Sequence, residues 1–140
     1  MRLVVQRVKK AMVGSSKIGP GLFVLLGIKK GDDQEDVDLL VSKLTKLRVM
    51  ADDEGRMNLS IIDVKASILL VSQFTLHADT SGGNRPSFLN AEEPDNAKKI
   101  YEYFIEKLKE TGIDVQTGTF GNYMEISLVF DGPSTILYLD

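Results

Sequence analysis

Two continuous apolar runs constrain this chain most. Leu22-Phe23-Val24-Leu25-Leu26-Gly27-Ile28 follows the turn signal Ile18-Gly19-Pro20-Gly21, and Ile68-Leu69-Leu70-Val71 ends abruptly in Ser72-Gln73-Phe74-Thr75-Leu76. Runs of this length between turn residues predict strands, and the absence of polar alternation predicts that the first is buried on both faces. A sheet covered on both sides needs helices or further strands over it. The chain supplies both. Val37, Leu40, Val41, Leu44 and Leu47 recur at helical spacing behind Asp32-Asp33, which suit the start of a helix. Ala97, Ile100, Tyr101, Phe104, Ile105 and Leu108 make a second stripe between Glu93-Pro94 and Thr111-Gly112.

The remaining segments predict more strands: Leu3–Val8, Ser67–Val71, Val115–Phe120, Tyr123–Phe130 and Thr135–Leu139, with a short edge element over 58–63. Lys9–Lys17 reads as a polar connection around Gly14-Ser15-Ser16, and Thr80–Pro86 as an exposed loop. Strands outnumber helices, and the two helices stand apart in the chain, so the expected class is α+β in a single domain over 1–140.

Composition narrows the chemistry. The chain has no cysteine and one histidine, His77, so thiolate metal sites and disulfides are ruled out and no metal or other cofactor is expected. A net charge of −3 and a pI near 5.2 argue against a protein that coats nucleic acid by charge alone, while leaving room for a local basic patch. The N-terminus lacks the apolar stretch of a signal peptide, and no run approaches a membrane span. A soluble cytoplasmic protein is the expectation.

Three groups of residues could carry chemistry. Ser72, Thr75 and His77 lie close together and raise the possibility of a hydroxyl nucleophile with a histidine base. On a continued strand, however, Thr75 and His77 would share one face and Ser72 the other, no Gly-x-Ser-x-Gly elbow is present, and His77 reads as a surface residue at a strand end. The acidic clusters Asp32/Asp33/Glu35/Asp36 and Asp52/Asp53/Glu54 lack the ligand spacing of a calcium loop and read as helix-start and turn residues. Gly132-Pro133 is either a plain turn between strands or a cis pair presenting two carbonyls.

Ser72-Gln73-Phe74-Thr75-Leu76, followed by Ala78-Asp79-Thr80 and Arg85-Pro86-Ser87-Phe88, resembles the signature of the D-aminoacyl-tRNA deacylases. Asp131-Gly132-Pro133-Ser134-Thr135 resembles that family's second motif, Asn-x-Gly-Pro-x-Thr. Further similarity runs through Gln6-Arg7-Val8, Ile18–Leu22, Lys46-Leu47-Arg48, Met57–Ser60 and Thr117–Gly121. Two departures stand out: Phe130 replaces the motif's asparagine, and the segment 10–17 is shorter than the usual hairpin.

The resemblance implies a homodimeric, β-barrel-like mixed sheet with two main helices and sites at the subunit interface. It implies hydrolysis of the ester between a D-amino acid and the 3′ end of tRNA, with activity on glycyl-tRNA and rejection of L-aminoacyl-tRNA. Carried over by motif, Ser72, Gln73, Phe74 and Thr75 would be catalytic. Gly132 and Pro133, as a cis pair inserted from the partner subunit to reject L-aminoacyl esters, would contact substrate together with Arg7, Phe88, Met124 and Thr135. Arg85 would touch tRNA, with Lys29/Lys30 or Lys98/Lys99 as further candidates. Two other readings remain: an acyl-ester hydrolase using Ser72 or Thr75 with His77, and an inactive RNA-binding or replication-associated relative, which the Phe130 substitution brings into view.

Overall fold

The computed structural model describes residues 1–139; residue 140 of the expected domain lies outside the described residues. Its first strand, β1 (Arg2–Val13), is far longer than the predicted Leu3–Val8. Lys9–Val13 is strand rather than polar connection, because Lys9, Lys10 and Met12 are exposed while Val8, Ala11 and Val13 are buried, and Lys9 is accommodated as a bulge between Val8 and Lys10. β1 turns through Gly14-Ser15 into β2 (Ser16–Ile18), with Val13 opposite Ser16. The short 10–17 segment is thus a tight hairpin.

β3 (Gly21–Gly27) pairs antiparallel with β1, and β6 (Ser67–Ser72) lies parallel to β3. The short strands β4 (Met50–Ala51) and β5 (Met57–Leu59) form a separate ribbon. β7 (Val115–Thr117) extends the sheet beyond β6 and stops before the expected Phe120. β8 (Ile126–Tyr138) covers the other edge of β1. The Ser16 hydroxyl donates to the Thr117 carbonyl at 2.8 Å, drawing the β2 and β7 ends together into a nearly closed, barrel-like mixed sheet.

As the uninterrupted apolar runs require, β3 and β6 are buried on both faces. Leu22, Val24, Leu26, Ile68 and Leu70 face the helices, whereas Phe23, Leu69 and Val71 face the inside of the curved sheet with Val8, Ala11 and Ile18. Both helices formed where the apolar stripes predicted. α1 (Gln34–Lys46) starts with a reciprocal cap: Asp33 accepts from the amides of Glu35 and Asp36, and the Asp36 carboxylate accepts from the Asp33 amide. α2 (Pro94–Glu110) has proline in its first turn and buries Ala97, Ile100, Tyr101, Phe104 and Leu108. Tyr101 donates to the Leu70 carbonyl at 3.0 Å, tying α2 to the strand that leads into Ser72, and its burial pushes the phenol pKa up. The acidic turn is equally local: Asp52 accepts from the amides of Arg56 and, more weakly, Glu54, bonds that hold its pKa below the usual range.

Sequence reading expected two strands separated by a Gly-Pro turn in the C-terminal segment, but β8 is one strand. Gln6 pairs with Thr135 and Val8 with Phe130, so the four residues Asp131–Ser134 bulge out opposite the single residue Arg7. The Gly132-Pro133 peptide in that bulge is cis.

Candidate active-site cleft

β6 delivers Ser72 to the mouth of the fold, and there the extended conformation ends. The Gln73 amide donates to the Leu26 carbonyl at 2.8 Å, and Phe74–His77 wind into a 3-10 turn. Strand alternation therefore does not apply beyond Ser72. His77 is not a surface residue: it is 3% exposed, tucked against Gly27, and its Nε2 has no hydrogen-bond partner among the described residues. Gly27 permits this close packing. A Cβ there would lie 2.9 Å from Leu76 Cβ and 3.1 Å from the Gln73 carbonyl oxygen.

The turn leaves Phe74 and Thr75 exposed, with the Gln73 side-chain amide donating to the Thr75 hydroxyl. That partner cannot take a proton, so nothing in this contact activates Thr75 as a nucleophile. Beyond the turn, Asp79 and Ser87 exchange backbone hydrogen bonds at 2.8 and 2.9 Å, closing an exposed loop that carries Arg85. Its base returns Phe88 to Phe74, with ring centroids 5.0 Å apart in an edge-to-face arrangement.

A cleft of about 690 Å3 opens beside these residues. Ser72, Gln73, Phe74 and Phe88 line it together with Phe120, Met124 and Ile126. The lining is largely apolar with a few polar groups among it, a form suited to a small organic moiety. Glu92 and Glu93, just before α2, add carboxylates to the rim. The Glu93 amide donates to the Glu92 carboxylate at 2.8 Å and holds its pKa below the usual range, so this group stays charged at neutral pH.

Of the residues singled out in the sequence, Ser72, Gln73, Phe74, Phe88 and Met124 come together in this cleft. Thr75 sits in the adjoining turn, and Arg85 lies on the exposed loop. Gly132, Pro133, Thr135 and Arg7 do not line the cleft of their own chain. Gly132, Pro133 and Thr135 are exposed, while Arg7 lies beneath the bulge: its Nε donates to the Asp131 carbonyl at 3.1 Å and its Nη1 to the Val49 carbonyl at 2.8 Å. Sequence reasoning missed Glu92, Glu93, Phe120 and Asn122 as cleft residues. Thr117–Gly121 did carry a signal, as similarity along a whole segment, but nothing in it assigned those residues to the same cavity as Ser72.

The profile of the D-Tyr-tRNA(Tyr) deacylase family matches residues 4–139. A D-aminoacyl-tRNA deacylase from Thermosipho melanesiensis is 50% identical over 143 aligned residues, covering 98% of this chain and 95% of that protein. The D-aminoacyl-tRNA deacylase of Aquifex aeolicus is 48% identical, covering 98% and 96%. Among solved structures, the c-Myc DNA unwinding element binding protein superposes with a TM-score of 0.94 at 38% identity, covering 100% of this chain and 99% of that one. A probable eukaryotic D-amino acid tRNA deacylase shares the fold, with a TM-score of 0.84 at 18% identity and coverage of 98% and 97%. With Ser72, Gln73, Phe74 and Phe88 of the first motif at one cleft and similarity spanning nearly the whole length, the chain belongs to the D-Tyr-tRNA(Tyr) deacylase family, a family of hydrolases acting on ester bonds.

Proposed function

We propose that the protein hydrolyses the ester linking a D-amino acid to the 3′-terminal adenosine of tRNA, accepts glycyl-tRNA, and rejects L-aminoacyl-tRNA, acting in the cytoplasm as an editing enzyme of translation. The observation that carries this reading is the convergence of Ser72, Gln73, Phe74, Phe88 and Met124 on one cleft in a chain of this family. Water attacks the ester carbonyl carbon, the bond to the ribose 3′ oxygen breaks, and the free amino acid and tRNA leave. An aminoacyl ester is already activated, and the neighbouring 2′-hydroxyl of the substrate can assist the water. The protein's part is to hold the ester and stabilise the developing oxyanion, through the Ser72 hydroxyl or the backbone amides of Phe74 and Thr75. The aromatic walls from Phe74, Phe88 and Phe120 suit the adenine ring.

Chirality is decided by a second copy of the chain. Gly132 and Pro133 stand exposed on a bulge away from their own cleft, flanked on the edge strand β8 by the exposed apolar residues Val129, Phe130 and Leu137. An isologous dimer would cover this apolar row and bring each bulge to the partner's cleft. The Gly132-Pro133 backbone then faces the α-carbon. A D side chain points to open space, an L side chain collides with that backbone, and glycine has nothing to collide. Thr135 flanks the bulge, Arg7 supports it from below, and Arg85 reaches toward the tRNA.

D-tyrosyl-tRNA, L-tyrosyl-tRNA and glycyl-tRNA separate the readings. Release from the D and glycyl substrates but not the L substrate is expected, and no release from any of them would overturn the proposal. A hydrolase relying on His77 as base has little support, since His77 is buried and does not line the cleft. Thr75→Ala should retain turnover, losing no more than about tenfold for one hydrogen-bonding group. Abolished turnover with normal binding in this variant, together with an acyl-enzyme trapped in the parent protein, would reinstate Thr75 as nucleophile.

A further inference from the structure

The wall formed by Asn122, Tyr123 and Met124 has a second face. Behind it lies another cleft, of about 660 Å3, between the β1–β2 hairpin and the segment after β7. Met124 acts as the partition: its sulfur sits over Gly118, 2.5 Å from where a Cβ would stand, and the side chain borders both cavities. Tyr123 crowns the partition. It also borders both cavities and is 91% exposed, far more than a tyrosine serving the core would be.

The second cleft differs in chemistry from the first. Ser15, Ser16, Thr117, Thr119 and Asn122 line it with hydroxyls and an amide, and Glu125 contributes an exposed carboxylate. Among the described residues no lysine or arginine lines it, so it is not built for a phosphate. It offers hydrogen-bonding groups for an uncharged polar ring, a carboxylate that accepts from an exocyclic amine, and an aromatic face at the entrance. Glu or Asp accepting from the N4 amine of cytosine is a known base contact, and aromatic side chains stack on single-stranded bases.

We propose that this second cleft is a subsite for the base immediately 5′ of the terminal adenosine, with Tyr123 as its stacking platform and Glu125 as acceptor for an exocyclic amino group. The inference rests on the deacylase reading, which places the terminal nucleoside in the first cleft. The strand then crosses the Tyr123–Met124 partition with its phosphates turned to solvent. In tRNA the base at that position is cytosine, which carries the required amine; uracil offers a carbonyl oxygen there and would be repelled by the carboxylate.

The test uses the full chain and three esters: 3′-O-D-tyrosyl-adenosine, the same ester on the trinucleotide C-C-A, and on C-U-A. The parent protein should prefer the C-C-A ester to the nucleoside ester in kcat/KM by about tenfold or more, the scale of one stacked base. Tyr123→Ala should erase most of that ratio, and Tyr123→Phe should keep it. Glu125→Ala should remove the preference for C-C-A over C-U-A. A ratio unchanged in Tyr123→Ala, or equal rates on C-C-A and C-U-A in the parent, would overturn the proposal. Binding of uncharged C-C-A relative to adenosine, measured by calorimetry, should follow the same order. If the parent hydrolyses none of the esters the deacylase reading falls, while calorimetry still decides whether the base is held.

Discussion

Gly132→Ala is expected to lower kcat/KM for D-tyrosyl-tRNA by about 100-fold, the loss that a displacement near 1 Å can cause at a positioned reacting centre. Gly132 has φ +132°, a conformation that side chains with a Cβ rarely adopt, and an added methyl would stand 3.1 Å from the Ser134 amide nitrogen and 3.3 Å from an Arg7 guanidinium nitrogen. Neither neighbour is free to retreat. Ser134 is buried and runs directly into Thr135, which is paired with Gln6, and Arg7 is held by the Asp131 and Val49 carbonyls. The bulge must therefore change shape, and the backbone proposed to meet the partner's substrate is displaced. Strain of this kind costs about 1–3 kcal/mol, and because the bulge is exposed the melting temperature should fall by no more than about 10 °C. The test pairs a steady-state deacylation assay with a thermal melt. Undiminished turnover would show that the Gly132 backbone takes no part in the site.

Gly27→Ala reaches the cleft from the opposite direction, through the core. The new methyl would fall 2.9 Å from Leu76 Cβ, 3.1 Å from the Gln73 carbonyl oxygen and 3.2 Å from His77 Cδ2. Leu76 Cβ lies in the turn and the Gln73 carbonyl in the backbone that leads into it, so a rotamer change relieves nothing. Either β3 or the 3-10 turn has to move, and β3 is locked between β1 and β6. Overpacking of this sort costs about 1–3 kcal/mol. The displaced turn carries Phe74 and Thr75 and follows Ser72 and Gln73, so turnover should fall by about tenfold or more along with the melting temperature, as expected when positioning of reacting groups is lost. An alanine variant with parental stability and rate would mean that the turn is loosely seated on β3.

These two glycines also mark where sequence reasoning stops. The buried strands β3 and β6 were legible because an apolar run without alternation has one stable destination, between two covering layers. Both helices were legible for a similarly local reason: the stripe spacing, the Asp33 cap and Pro94 act within a few residues of one another. The family, and with it the barrel-like fold, was legible from two motif segments in order. None of this depends on a distant partner.

What depended on partners far along the chain was not legible. Lys9 and Lys10 look like a break in a strand until β8 arrives to pair with β1 and the lysines take the outward side. By local pattern Gly132-Pro133 looks like a turn; the motif resemblance marked the cis pair that the structure has, but the bulge over Arg7 exists only because Gln6 and Val8 engage Thr135 and Phe130. His77 looks like a surface residue because Ser72 to Leu76 resembles a strand end, yet the bond from Gln73 to Leu26 curls the chain and buries the ring against Gly27. The second cleft has no signature at all, since Ser15, Thr119 and Glu125 meet only when the hairpin closes on β7. Local pattern determined which segments became strands and helices and which family they compose. Tertiary pairing alone decided where the motif residues point, because a side chain's direction at a bulge or a turn is set by the strand it packs against.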